Sequence, residues 1–177
     1  MSNEGQNALE RVTSHPLIAR TRRNHGLEHA TLHLLSRRNP ARHLAGHSDA
    51  GGFWVLGDVS QEEVRAAVDE AMQRMRAGES ELAVHPNCGT NFVTSGVLAS
   101  LAAFIAMFGT GQRLRDRLER LPLAAVLATL ALVVSQPLGM RLQEQVTTSG
   151  QLESLAVVGI TASRRGRMNA YRVQTQS

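Results

Sequence analysis

A chain of 177 residues with one cysteine cannot carry an internal disulfide framework, and it has room for one modest domain or for a small domain plus a membrane element. Its formal net charge of +4 comes from 19 basic residues, all arginine, scattered along a chain that is only 3% aromatic, so no basic, base-stacking surface for nucleic acid stands out. The pI near 10.8 suits an anionic membrane surface, and charges that are dense as far as Glu81 then vanish for the 31 residues 82–112.

Residues 1–13 are polar and read as a disordered N-terminus. Ser14-His15-Pro16 reads as a helix start, with Ser14 as cap and Pro16 in the first turn, and the helix runs to Arg38, stopped by Asn39-Pro40. On it His25, Glu28, His29, Leu32 and His33 share one side at i, i+3, i+4 spacing. Residues 42–58 predict a β-hairpin with arms 42–47 and 53–56 around Ser48-Asp49-Ala50-Gly51-Gly52. An amphipathic helix follows over 61–77, buried through Val64, Ala67, Val68, Ala71, Met72 and Met75, with Ser60 and Glu63 at capping-box spacing and Gly78 at its end. Residues 81–85 alternate in the manner of a short return strand, delivering His85 and Cys88.

Two apolar stretches come next, 92–109 and 121–140. About 17–25 helical residues cross the hydrocarbon core of a bilayer, so both qualify, and the short connector 110–120 makes them an antiparallel transmembrane hairpin. Small residues at four-residue spacing (Gly96 and Ser100, Ala99 and Ala103, Ala124 and Ala128) predict close packing between the two. The tail predicts strands over 155–161 and 168–173 about a turn at 163–166. An even number of crossings returns it to the side of the first ninety residues. The expected fold class is α+β: a metal-site domain formed by 14–91 and the β-rich 141–177, interrupted by the membrane hairpin 92–140. With no apolar h-region in the first thirty residues, no cleavable signal peptide is expected. The chain reads as integral to a plasma membrane; the arginine count of the connector and the arginine clusters at 20–23 and 37–42 pull in opposite directions, and the reading places the domain on the cytoplasmic face.

The chemistry lies in two motifs, His25-Gly26-Leu27-Glu28-His29 and His85-Pro86-Asn87-Cys88-Gly89-Thr90-Asn91-Phe92. Histidines one helical turn apart can bind one ion, and in the inverted zinc-protease order His-x-x-Glu-His the carboxylate between them activates a water. His85 and Cys88 add a third imidazole and a thiol, completing a donor set that suits Zn²⁺. His25, His29, His85 and Cys88 are therefore the candidate ligands of a divalent metal, with Glu28 as candidate general base. His33 extends the line as a neighbour of the site or a surface residue, and His43 and His47 read as surface.

The two motifs, followed directly by a membrane helix, resemble uncharacterised bacterial membrane families of unknown function, a broad group of which is described as predicted metal-dependent enzymes. The matching positions are His25, Glu28, His29 and Thr31, then His85, Cys88, Gly89, Thr90 and Phe92. The chain departs from the broad group at Ala30, where Lys is usual, and at Asn91, where Ser is usual. The resemblance implies a shared metal site and brings no substrate with it. The resulting expectation is a membrane-anchored, zinc-type hydrolase acting on a lipid-linked or membrane-protein substrate at the membrane surface. The alternative is a scaffold or assembly factor in which the same ligands form a closed structural site.

Overall fold

The computed structural model describes residues 2–166 and 168–177, with side chains from residue 8 onward. The chain forms two compact units: Met1–His85 together with Glu144–Ser177, and Pro86–Gln143.

In the first unit, α1 (Ser2–Thr13) and α2 (Pro16–Arg38) precede a hairpin of β1 (Leu44–Asp49) and β2 (Gly52–Gly57), then α3 (Gln61–Arg76), a 3-10 turn (Ser80–Ala83) and, after the second unit, β3 (Ala156–Arg165) and β4 (Met168–Gln176). The expected disordered N-terminus is a helix from Ser2; Met1 lies outside the described residues. No proline interrupts it before Pro16, and the Thr13 hydroxyl closes its last turn on the Leu9 carbonyl. Pro16 does start α2, but Ser14 does not cap it: His15 takes the cap position without a side-chain bond, while the Ser14 hydroxyl turns back to Arg11. For α3 the capping box of Ser60 and Glu63 forms in both directions.

The four strands run antiparallel in the order β1-β2-β4-β3, so the tail completes the sheet begun by the early hairpin. Asp49 shapes the β1–β2 turn by accepting the Gly51 N–H at 2.7 Å, and Gly52 follows at φ 139°, a conformation that favours glycine. Helices α2 and α3 cover one face of the sheet. Leu27, Leu34 and Leu35 of α2, Val64, Val68 and Met75 of α3, and Phe53, Val55, Tyr171 and Val173 of the sheet bury one continuous core. Asn24 is fully buried and ties α2 to two strands, donating to the Asp49 carbonyl at 2.8 Å and accepting from the Thr175 hydroxyl at 2.7 Å.

The return strand expected at 81–85 is absent. Leu82 and Val84 donate to the carbonyls of Glu79 and Glu81, closing a 3-10 turn that buries Leu82 and Ala83. The alternating apolar pattern is satisfied locally, since among the described residues no strand pairs with this segment.

The second unit is a helical hairpin, α4 (Gly89–Met107) and α5 (Leu114–Leu142). Both helices begin earlier than their apolar stretches. Most of the arginine-rich segment expected as connector, from Leu114 on, forms the start of α5, where Arg115 and Glu119 pair at i,i+4 spacing. Gly96 is not at the contact, since a side chain there would meet nothing. Ala124 is buried as expected, Ala106, Ser135 and Gly139 are buried with it, and the hydroxyls of Ser95 and Ser135 lie 2.6 Å apart. Gln143 donates to Asn91 Oδ1 at 2.7 Å, and Asn91 donates to the Pro86 carbonyl at 2.7 Å. At 19 and 29 residues, the helices are long and apolar enough to cross a membrane, and their outward faces expose Phe92, Val97, Phe104, Val126, Leu130 and Val133.

Candidate metal centre

The helical repeat of α2 stacks His25, His29 and His33 in successive turns, and the 3-10 turn delivers His85 to them. Ring centres of His25 and His29 are 4.3 Å apart, those of His29 and His85 5.9 Å, and those of His33 and His85 6.2 Å. All four imidazoles belong to the first unit. Cys88 belongs to the second, where it is the buried N-cap of α4 and its sulfur accepts the Thr90 N–H at 3.4 Å. His43 and His47 are exposed, as the sequence predicts.

Backbone carbonyls fix the tautomers of both motif histidines. His25 Nδ1 lies 2.9 Å from the Thr147 carbonyl oxygen, and His29 Nδ1 lies 2.7 Å from that of Ala83. A carbonyl can only accept, so each Nδ1 carries the proton and each Nε2 holds the lone pair. This is the outer support that metal-ligating histidines use to set ring orientation and raise basicity. Gly26 makes the first clamp possible, because a Cβ there would run into the Ser149 carbonyl oxygen. Ser149 in turn donates its N–H to the Arg22 carbonyl, drawing this loop onto α2.

Glu28 is 4% exposed, beneath strand β1. Gly46 admits it, since a Cβ on that residue would occupy the carboxylate's place. Among the described residues no hydrogen-bond partner reaches its buried Oε2. Burial pushes this carboxyl up to about 7, against the pull of the nearby His25 and of a hydrogen bond from Ser48. Burial also holds His85 below the usual histidine range, with His29 and then His33 adding to the effect, and this favours the neutral imidazole that a metal needs.

Residues 20–160 match the family described as Domain of unknown function (DUF6391). The chain belongs to this family. It is also 36% identical over 138 residues to an uncharacterized protein of Picosynechococcus, an alignment covering 72% of this chain and 65% of that relative. No solved structure matches. Within the DUF6391 region, His25, Glu28, His29 and His85 all lie in the matched span, as do the Thr147 and Ala83 carbonyls.

Sequence reasoning did not find those two carbonyls, nor Ser48, Gly46 and Asn24. A backbone acceptor leaves no residue signature, so only Gly26 hinted that another piece of chain comes close.

Proposed function

We propose that this DUF6391 chain is an integral membrane protein that holds a divalent ion, of the zinc type, on His25, His29 and His85, with Cys88 as the thiolate that completes or neighbours the set. The observation that carries the reading is the pair of carbonyl clamps on Nδ1 of His25 and His29, which fixes both rings and puts the lone pair of each on Nε2, one helical turn apart on α2. Chain length supports the thiolate: Cys88 is three residues past His85 and so lies within roughly 10 Å of chain. An unpartnered buried Glu28 Oε2 fits the same picture, because a nearby cation or its water gives that oxygen a partner.

The reaction favoured is hydrolysis. A divalent ion in such a site supplies Lewis acidity and a water ready to ionise near neutral pH. Glu28, whose buried Oε2 is unpartnered, would be the general base for such a water, and its carboxyl would carry the proton on to a leaving group. His25 and His29 keep their orientation, held by the Thr147 and Ala83 carbonyls. Because His85 precedes the first residue of α4 by only four positions, a lipid-linked or membrane-protein substrate fits better than a free metabolite. The relation to predicted metal-dependent membrane enzymes belongs to this same reading.

The test uses the full chain in liposomes of bacterial polar lipid, with released headgroups and acyl chains followed by mass spectrometry. Wild type should turn over while Glu28→Gln, at equal metal content, loses activity by about 100-fold or more. A metal-loaded wild type that is inactive on lipid and on membrane-protein extracts, and indistinguishable from Glu28→Gln, would replace the hydrolase with the scaffold.

A further inference from the structure

Four imidazoles meet in the first unit, and the proposed site uses three. His33 stands one turn beyond His29 on α2, its ring nearly perpendicular to that of His85 with 6.2 Å between centres. His85 is thus almost equidistant from two helical imidazoles, His29 at 5.9 Å and His33 at 6.2 Å. A ring nitrogen bound to zinc at about 2.0–2.1 Å puts its ring centre roughly 3 Å or a little more from the ion, so two rings on one ion lie about 5 Å apart at a tetrahedral angle and at most about 6.4 Å. The His25–His29 pair at 4.3 Å lies on the near side of the tetrahedral spacing and the two His85 pairs on the far side, all within reach of a shared ion.

The two ends of this ladder differ in surroundings. His29 is 4% exposed and clamped by the Ala83 carbonyl. His33 is half-buried, and among the described residues no hydrogen bond holds its ring in place. A buried, clamped imidazole suits a resting position for an ion. A half-buried ring without a clamp suits a position that an ion reaches from water and leaves again. His85, half-buried between them, touches both.

We propose that His33 and His85 form a second, solvent-side position for the same divalent ion, from which it passes to His25 and His29 with His85 as the shared ligand. This rests on the metal-site reading above. The transfer is a ligand exchange: the ion gives up His33 and water and takes His29 and His25, with no change of oxidation state and no proton transfer. His33 is accordingly a loading residue and not a ligand of the resting site.

The experiment uses the full chain in detergent, stripped with chelator, with Zn²⁺ uptake and release followed by stopped-flow competition against a chromophoric chelator. For His33→Ala and the more conservative His33→Gln, association and dissociation rates should both fall by roughly ten-fold. The Kd should stay within about two-fold, because a position on the path changes rates in both directions without moving the equilibrium. Unchanged rates would overturn the proposal. So would a Kd weakened by about ten-fold or more, which would make His33 a permanent ligand. A wild type that binds no zinc would overturn the site reading itself, whereas stoichiometric binding with kinetics indifferent to His33 would overturn the loading position alone.

Discussion

A Cβ on Gly26 would displace the Ser149 carbonyl, and the same loop carries the Thr147 carbonyl that holds the His25 ring. Gly26→Ala should therefore cost about 1–3 kcal/mol of stability and weaken metal binding together, measurable as a lowered melting temperature and a raised Kd in one variant. Glu28 offers a pH test on the metal-free chain. Its carboxyl is raised to about 7 in the folded protein, so below about 4.5 the proton is bound in folded and unfolded chains alike and the group's contribution is fully present. That contribution declines as pH rises toward 7 and is lost above it, by roughly 3 kcal/mol. Glu28→Gln removes the titration, so the variant should match wild type near pH 4 and exceed it in thermal stability at pH 8. Parallel pH profiles would show that the carboxyl is not buried as described. At this scale the sequence revealed the imidazoles and the carboxylate through helical periodicity; their carbonyl partners stayed hidden, because any residue can supply one.

The 3-10 turn Ser80–Ala83 shows why the elements were only partly legible. The larger apolar residues Leu82 and Val84 fall at every second position as in a strand, yet the Ala83 carbonyl is needed by His29 and no described strand pairs with the segment. Local pattern cannot distinguish a ladder from a turn when the deciding partner is 54 residues away. By contrast the β1–β2 hairpin and the capping box of α3 follow from turn chemistry and alternation that are local in sequence, while the pairing of the tail with the early hairpin was expected from the even number of crossings. Asn24 belongs with the hidden class: a polar residue in an imperfect stripe, it proves to be the buried tie between α2 and the sheet. Asn24→Ala leaves the Asp49 carbonyl and the Thr175 hydroxyl without this partner and should cost about 1–3 kcal/mol, more than an equivalent change at exposed Arg37. A denaturation midpoint compared between the two variants checks it.

Over the whole molecule, the chain leaves its α+β unit at Pro86, runs through two long apolar helices, and returns at Glu144 to finish the same sheet. That plan was readable because uncharged length is so unlike the rest of the sequence. On the proposed membrane reading the helices' exposed apolar faces meet lipid, so the protein should stay in the membrane pellet on alkaline carbonate extraction. Val133→Arg, on an exposed face of α5, should impair insertion by about 2.5–3.5 kcal/mol, whereas Arg at exposed Arg117's neighbour Leu118, near the helix start, should be tolerated better. Insertion efficiency in a glycosylation-mapping assay reads that difference. The central claim, that imidazoles from α2 and from the segment after α3 share an ion, is tested most directly by elemental analysis of the chain purified in detergent without chelator. The account predicts about one zinc-type ion per chain in wild type and near-complete loss in His25→Ala/His29→Ala. A folded wild type carrying no stoichiometric metal would contradict it.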